Sequence, residues 1–218
     1  MRLRIDRPRC VVVVAPHADD ETIGAYGLMT RLRRRGVDLR VLVVTDGHAS
    51  HPNSIAWPRA RLVRERRRET RRVMRRIGVR ADAITFLGLP DGGLASMRSR
   101  VARDIGAVLR RAPGPALIVA PAATDDHADH RVVAAGVRAA RLAGARHLAY
   151  PVWPAGRGLP GARGLVLTAQ ERLAKRHAIR SYRTQAGIIT DDPEGFAMTR
   201  AQIAAFSRPA ETFVEHRR

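Results

Sequence analysis

Two clusters of acidic residues and histidines, far apart in the chain, contain the side chains best suited to chemistry. The first places His17, Asp19 and Asp20 within four positions, directly after the apolar run 11–14. The second is the segment DDHADH at 125–130, which follows another apolar run. Carboxylates held close together repel one another, and the histidine nitrogens beside them are common metal ligands. The composition of both clusters therefore predicts a bound metal ion.

The spacing within the clusters indicates how one ion could be held. His17 and Asp20 are three positions apart, as are His127 and His130, so each pair would lie on one face of a helical turn. His17, Asp20 and one histidine of the second cluster could then bind one ion. Two imidazoles, one carboxylate and an open position for water are typical of a catalytic zinc site. Asp19 would point elsewhere and could act as a base beside a water whose pKa zinc lowers to about 7.

Each cluster also has an ordinary structural interpretation. Asp19 and Asp20 are suited to the N-cap and first turn of a helix. His127 or His130 alone would most often be a surface or packing residue. The functional hypothesis rests on the two clusters together, at the ends of two strands.

The rest of the sequence predicts a scaffold in which strands and helices alternate. Strands are predicted at 10–15, 39–45, 83–89, 115–121 and 147–153, with a short extra strand at 164–168. Helices are predicted at about 21–35, 59–77, 97–111, 130–143 and 169–183. This alternation indicates βαβ units and the α/β class, namely a Rossmann-like, doubly wound, mostly parallel sheet flanked by helices.

The expected strand order connects this scaffold to the clusters. We expect the order 3-2-1-4-5, in which the first and fourth strands are neighbours. Ligands bind such sheets outside the carboxyl ends of the strands, where the strand order reverses. One cluster follows the first strand and the other follows the fourth, so the two should face each other across this crevice.

The length of 218 residues predicts a single domain over 1–218. Residues 154–164 are rich in glycine and proline and indicate a surface loop. Residues 186–218 have no clear pattern, and we expect a C-terminal extension that packs on or near the domain.

The formal net charge of +20 raises the question of nucleic-acid binding. Lys175 is the only lysine, so the charge is almost entirely arginine spread over several helices, and aromatic residues make up only 4% of the chain. Few aromatic platforms are therefore available for stacking bases. We expect no specific nucleic-acid binding, and an anionic substrate or acidic partner fits the charge better.

The cellular compartment follows from what the sequence contains. Cys10 is the only cysteine, so an intrachain disulfide is excluded and a reducing compartment fits. The N-terminal residues lack the apolar core of a signal peptide, and no apolar run reaches the roughly 18 residues of a membrane helix. We expect a cytoplasmic protein without a membrane span, and an oligomer is possible.

Beyond these patterns, the motifs resemble those of a known family. PHADDE at 16–21 resembles the A/P-H-P-D-D-E signature of the PIG-L/LmbE-like deacetylases, and HADH at 127–130 resembles their H-P-D-H signature. Four further segments resemble family elements in the same order: TDGHASHP (45–52), RRRETRRVMRRIGV (66–79), FLGLPDGGL (86–94) and KRHAIRSYRTQ (175–185). The departures are Ala18 and Ala128 in place of proline, Ile77 in place of leucine, and Thr184 in place of serine.

The resemblance implies a zinc-dependent hydrolase with one ion per chain, for which another divalent metal such as Fe²⁺ is possible. The expected reaction is hydrolysis of the N-acetyl group of an N-acetylglucosamine-type sugar or glycoconjugate, which releases acetate and an amine. The implied metal ligands are His17, Asp20 and His130, and Asp19 is the implied general base.

The remaining roles are also implied by the resemblance. His127 would stabilise the oxyanion or protonate the leaving amine, a choice that the sequence leaves open. Asp129 would orient an imidazole, and His127 is the expected one. Arg66 and Asp91 match positions that contact the sugar, although Asp91 also suits an ordinary Pro-Asp-Gly turn.

Three other classes of protein remain as alternatives. A magnesium-dependent hydrolase of a phosphate-bearing molecule would fit the acids but not the histidines, because magnesium prefers oxygen ligands. A binding or regulatory protein with a vestigial site would fit the fold but not the complete set of ligands. A basic nucleic-acid binder would show salt-dependent binding to duplex DNA.

Overall fold

The computed structural model describes residues 2–114, 116–140 and 142–216. Seven strands in these ranges form one sheet in the order β3-β2-β1-β4-β5-β7-β6. The strands are β1 (Cys10–Ala15), β2 (Asp38–Thr45), β3 (Ile84–Leu89), β4 (Ala116–Pro121), β5 (Arg146–Tyr150), β6 (Arg163–Val166) and β7 (Ala210–His216). The α-helices are α1 (Asp20–Arg34), α2 (Arg59–Arg76), α3 (Arg98–Leu109), α4 (Ala128–Ala139), α5 (Ala169–Arg180) and α6 (Arg200–Phe206).

The first five strands confirm the predicted α/β class and the predicted order 3-2-1-4-5. β1 lies between β2 and β4 and is parallel to both, with Val13 opposite Val41 on one side and Val119 on the other. Both faces of β1 are covered. Val11 and Val13 pack into one core cluster and Val12 into the other. A strand buried on both faces must be apolar at every position, which accounts for the continuous run of valines.

Some boundaries differ from the prediction. β5 ends at Tyr150 rather than at residue 153, because the backbone N–H groups of Val152 and Trp153 donate to the carboxylate of Asp125. Helix α4 begins two residues earlier than predicted and ends at Ala139. The predicted fourth strand begins at residue 115 and the predicted fourth helix includes residue 141, and these two residues lie outside the described part of the chain.

The C-terminal segment contributes a strand to the sheet. β7 pairs antiparallel with β5 on one side and with β6 on the other, so the sheet is extended beyond the five predicted parallel strands. The pattern of 210–216 is short and mixed in polarity, and it did not predict a strand.

A buried carboxylate in β7 also stabilises an irregular turn of α1. The helix leaves regular geometry at Ala25, whose φ is −143° and ψ is 20°. The backbone N–H groups of Gly27 and Leu28 donate instead to Glu211, over 2.8 and 3.0 Å. Glu211 is paired with Lys175 of α5 at 2.9 Å, so its charge is compensated inside the protein. The C-terminal strand is therefore connected to the helix that begins at the first acidic cluster.

Among the described helices, none is both long and apolar enough to cross a membrane.

Candidate active site

The two clusters meet at an open cavity of about 560 Å³ at the carboxyl ends of the parallel strands. Its polar wall includes His17, Asp19, Asp20, Arg66, Asp91 and His127. Its apolar wall includes Ile23, Trp153, Pro154, Phe196 and Met198. The prediction that the clusters face each other is confirmed, because β1 and β4 are adjacent and parallel.

Three atoms from both clusters form a nearly equilateral triangle. His17 Nδ1 lies 3.2 Å from Asp20 Oδ2 and 3.2 Å from His130 Nε2, and His130 Nε2 lies 3.2 Å from Asp20 Oδ2. The ligand atoms of a tetrahedral zinc ion are separated by about 3.3 Å, given zinc–nitrogen bonds of about 2.0–2.1 Å. The residues predicted as metal ligands therefore fit a small divalent ion.

Two other groups of candidate ligand atoms share His17. One consists of His17, His127 and His130, and the other of His17, Asp91 and Asp129. Within each group the candidate ligand atoms lie within 4.8 Å of one another, a wider limit than the 3.2 Å edges of the triangle. The structure thus has a possible metal site that is centred on His17.

The charges of the triangle balance one another. Burial opposes protonation of His130, but the carboxylates of Asp20 and Asp125 outweigh it and raise its pKa to about 9. Burial also opposes the charge of Asp20, but His130 and His17 bring its pKa below the usual range. A metal ion bound to these nitrogens must displace protons, so its affinity should rise with pH.

Carboxylates stand behind both histidines of the triangle. Asp91 Oδ1 lies 2.9 Å from His17 Nε2, and Asp129 Oδ2 lies 3.5 Å from the same atom. Asp125 Oδ1 lies 3.2 Å from His130 Nδ1. Carboxylates this close to a metal-binding imidazole increase its basicity.

The position of Asp129 differs from the expectation that its carboxylate orients His127. Its two oxygens accept from the backbone N–H groups of Gly92 and Leu94, at 2.8 and 3.2 Å, and the imidazole that they face is His17. Only the backbone N–H of Asp129 contacts His127, by donating to Nδ1. The carboxylate is fully buried and points toward the loop after β3, because α4 begins at Ala128.

Asp125 is a site residue to which the sequence assigned no individual role. One carboxylate oxygen lies beside His130 and also accepts from the N–H of His127 at 3.0 Å. The other accepts from the backbone of Val152 and Trp153 at the edge of the cavity. The sequence feature that could have identified Asp125 is its place at the start of the second cluster, two residues before His127.

Asp19 has an unusual backbone conformation. Its φ of 132° is the only positive value at a non-glycine residue in the described chain. Such conformations cost about 1–3 kcal/mol and are concentrated at functional sites. The carboxyl is buried, and burial together with the nearby charge of Asp20 raises its pKa well above the usual value. Arg66 opposes this rise from 3.9 Å.

Glu21 supports this conformation from inside the protein. Its Oε2 accepts from the backbone N–H of Asp19 at 3.1 Å, and its Oε1 accepts from the Tyr182 hydroxyl. That hydroxyl also lies 3.0 Å from Thr22 Oγ1. Burial raises the pKa of Glu21 to about 7, although the hydrogen bonds oppose the rise. Glu21 therefore connects Asp19 to Tyr182, which lies just after the end of α5.

His127 is the N-cap residue of α4. Its Nδ1 accepts from the backbone N–H of Asp129 at 3.2 Å, so the proton of the neutral ring is on Nε2. Burial and the nearby charges of His17 and His130 lower its pKa. The neutral form is therefore favoured, with Nε2 as a donor at the cavity wall.

Arg66 is buried and holds two loops together. It donates to the carbonyl of Gly47 after β2 and to the carbonyl of Ala18 after β1, both at 2.9 Å. Gly47 has a φ of 70°, and a Cβ there would lie 2.7–2.8 Å from the guanidinium. Position 47 thus requires glycine, because of its positive φ and because a Cβ would collide with Arg66.

Helix α2 contacts the segment around Gln185. Glu69 follows Arg66 by three positions on α2, and its carboxylate accepts from both the backbone N–H and the hydroxyl of Thr184, at 3.0 and 2.6 Å. The next residue, Gln185, lines the cavity and donates to Ser50 Oγ at 3.2 Å. Threonine provides the same hydroxyl as the serine usual at this position.

The mostly parallel sheet therefore brings a buried aspartate and a possible histidine and aspartate metal site together at the reversal of strand order, an arrangement suited to metal-assisted hydrolysis. A sequence profile of the PIG-L family, described as GlcNAc-PI de-N-acetylase, matches residues 12–141. The chain belongs to this family of deacetylases. No curated protein sequence matches the chain significantly.

Solved structures with a similar fold include two deacetylases and one conserved protein. The N,N'-diacetylchitobiose deacetylase from Pyrococcus horikoshii is 21% identical, with a TM-score of 0.71 over 96% of this chain and 84% of that chain. The teicoplanin deacetylase Orf2 is 19% identical, with a TM-score of 0.65 over 81% of this chain and 85% of that chain. The conserved protein TT1542 from Thermus thermophilus is 25% identical, with a TM-score of 0.60 over 82% of this chain and 80% of that chain.

Proposed function

We propose that the protein is a zinc-dependent deacetylase of an N-acetylglucosamine-type sugar or glycoconjugate, and that it releases acetate and a free amine. The observation that carries this proposal is the 3.2 Å triangle of His17, Asp20 and His130 beside the buried Asp19. Membership of a deacetylase family supports the type of reaction. The names of two structural neighbours identify diacetylchitobiose and teicoplanin compounds as substrates of those two proteins, and both are N-acetylated sugars or glycoconjugates.

His17, Asp20 and His130 would hold the metal ion, which we propose to be zinc. When bound, such an ion acidifies water and polarises a carbonyl group. Asp91 and Asp125 would hold the two imidazoles in place through their second nitrogens. One carboxylate and two histidines suit zinc, and Fe²⁺ is a second candidate because it accepts the same ligands.

Asp19 would serve as the general base. Its raised pKa makes it a better proton acceptor than an exposed aspartate, and a cation at the triangle would offset part of this rise. Glu21 holds its backbone N–H, and Arg66 faces its carboxylate. Asp19 would therefore take a proton from water and later deliver it to the leaving amine.

His127 would stabilise the negative oxygen that develops on the acetyl carbonyl. Its Nδ1 is engaged by the backbone of Asp129, which leaves the Nε2 proton for the substrate. Its lowered pKa favours a neutral ring that donates a hydrogen bond rather than an acid that protonates the amine. This assignment extends the expectation from sequence, which left both roles open.

The cavity would accept a sugar with an attached group. Its volume of about 560 Å³ is within the range of about 300–1,000 Å³ for small-molecule sites. Trp153 packs edge-to-face on Phe196 at a centroid distance of 5.8 Å, and both rings line the cavity. We propose that the sugar ring lies against this apolar wall while its acetamido group faces Asp19. The contacts of Arg66 and Asp91 with the sugar remain a prediction.

Two variants test the proposal. His130→Ala should lose both zinc and activity, whereas Asp19→Asn should retain zinc and lose about 10²–10⁴-fold in turnover. His177→Ala, a change at an exposed histidine of α5, is the matched control and should retain both. The measurements are metal content after purification without chelator and amine release from a panel of N-acetylated sugars. Full activity in either active-site variant would contradict the proposal.

Metal content and the identity of the released product separate the other candidate classes. Bound magnesium with release of phosphate would indicate the phosphate hydrolase, and zinc without acetate release from any sugar would indicate a vestigial site. We also propose a cytoplasmic location, because the single cysteine, Cys10, is buried and unpaired. Fractionation of cells that produce the protein would test this location.

A further inference from the structure

A second cavity, which we call the arginine groove, lies between the outer side of α2 and the end of β3. Its volume is about 580 Å³, and its lining includes Arg59, Arg64, Arg67, Arg68, Arg71 and the single acid Asp46. Asp46 is already engaged, by Arg59 at 2.7 Å and by His48 at 2.8 Å. Arg68 also contacts Glu65 at 3.5 Å, so the lining arginines without an ion pair among the described residues are Arg64, Arg67 and Arg71.

Two of these arginines are held in place by an aromatic ring. The guanidinium groups of Arg67 and Arg71 lie over Phe86, at 5.5 and 5.0 Å from the ring centroid. Phe86 belongs to β3, the edge strand of the sheet. Stacking of this kind orders long side chains before a ligand arrives, and so reduces the entropy lost on binding.

Arg67 also has an unused hydrogen-bonding group. Its Nε is buried and has no hydrogen-bond partner among the described residues. The strand end beside it contains Gly88, with a φ of 66°, where an added Cβ would lie 2.9 Å from Arg67 Nη2. Gly88 thus leaves room for the guanidinium to lie against the strand. The Nε of Arg67 is therefore not occupied by an acceptor in the described part of the chain.

We propose that the arginine groove binds a phosphate group of a small anionic ligand. Guanidinium forks match the oxygens of phosphate in pairs, and the hydrogen bonds are strengthened by charge. The groove shares no lining residue with the active-site cavity, so the inference does not depend on the proposed deacetylation. The phosphate belongs either to the sugar substrate or to a separate small molecule.

The two cavities are connected through one side chain. Asp46 lines the arginine groove and accepts from the backbone N–H of Asp91 at 3.3 Å, and Asp91 lines the active-site cavity. The two cavities are therefore neighbours on either side of this contact.

The first experiment measures pyrophosphate binding by titration calorimetry at 0.15 M salt. The double variant Arg67→Gln/Arg71→Gln should bind at least about tenfold more weakly than the wild type, because two charged hydrogen-bond donors are removed. The matched control Arg100→Gln/Arg103→Gln removes the same charge from exposed residues of α3 and should bind like the wild type. Any contribution of the metal site is common to all three proteins. An equal loss in both double variants, or a loss in neither, would overturn the proposal.

Further measurements guard against misfolding and identify the source of the phosphate. Thermal unfolding checks the double variant, and Arg64→Gln provides a milder change at an exposed position that should weaken binding in the same direction.

A KM increase confined to a phosphorylated N-acetylglucosamine would assign the phosphate to the substrate. Unchanged KM values with weaker pyrophosphate binding would assign it to a separate ligand. Loss of duplex DNA binding without loss of pyrophosphate binding would overturn the proposal in favour of a nucleic-acid surface.

Discussion

Asp91 Oδ1 lies 2.9 Å from Nε2 of His17, on the side of the ring away from the Nδ1 that joins the metal triangle. Its other oxygen accepts from the backbone N–H of Ala49 at 3.1 Å. Asp91 thus connects the loop after β3 to the loop after β2 and to a candidate metal ligand. These contacts suit the orientation of His17 at least as well as the recognition of a sugar.

Asp91→Asn should therefore reduce zinc affinity about 10–100-fold, because the charge that supports His17 is lost while the shape is retained. Competition with a zinc chelator measures this affinity. Asp104→Asn, at an acid of α3 that pairs only with exposed arginines, is the control. Unchanged zinc affinity with an increased KM would instead assign Asp91 to the substrate.

Tyr182→Phe should reduce stability and turnover together. Glu21 would lose the hydroxyl that satisfies Oε1, and a buried acceptor without its donor costs about 1–3 kcal/mol in the free energy of unfolding. Turnover should fall because Glu21 also holds the backbone N–H of Asp19. Urea unfolding and steady-state kinetics at constant zinc content measure the two effects.

Tyr150→Phe provides the matched control for this change. Its hydroxyl is also fully buried, and it donates to the carbonyl of Val14 at 2.8 Å rather than to Glu21. The Tyr150→Phe variant should be less stable than the wild type and should keep the same turnover per folded molecule. Equal losses of turnover in both tyrosine variants would show that Glu21 does not position Asp19.

Thr184→Val should destabilise the protein by about 1–3 kcal/mol, because the buried carboxylate of Glu69 loses a 2.6 Å hydrogen bond. Burial already raises the pKa of Glu69, so the carboxylate depends on its remaining donors. Thr184→Ser keeps the hydroxyl and should restore most of the stability. Chemical denaturation compares the three proteins, and a valine variant as stable as the wild type would show that the hydroxyl of Thr184 does not stabilise Glu69.

The pair of Glu171 and Arg31 should make a pH-dependent contribution to stability. Arg31 donates twice to Glu171, at 2.8 and 2.6 Å, and lowers the pKa of Glu171 to about 2 from the ordinary 4.5. A pKa lowered on folding stabilises the protein above about pH 4.5, and this stabilisation is lost as the pH falls toward 2.

Glu171→Gln should therefore be less stable than the wild type at pH 6.5, by less than about 1 kcal/mol, because solvent screens the pair. The difference should shrink by pH 3. Glutamine still offers an oxygen to the N–H of Thr168, so the cap of α5 is retained. A difference that is constant between the two pH values would indicate that charge is not involved.

The scaffold could be predicted because its signals are local. The valine run of β1 and the apolar runs of the other parallel strands predicted the strands themselves, and the order 3-2-1-4-5 was expected from the doubly wound class that their alternation with helices indicates. β7 could not be predicted, because its burial depends on two neighbouring strands and on the partners of Glu211 in α1 and α5. Nothing within 210–216 contains this information.

By itself, the sequence predicted that the two acid and histidine clusters follow the first and fourth strands of a doubly wound sheet, whose expected order 3-2-1-4-5 brings them to one crevice. It also determined which residue types are available there for a metal ion and a base. Only the tertiary structure decided how the carboxylates are distributed. Asp129 faces His17 rather than His127, Asp125 stands behind His130, and Glu21 holds Asp19. The physical reason is that these contacts are set by the packing of loops from different strands, and their distances of about 3 Å depend on side-chain directions that spacing does not encode.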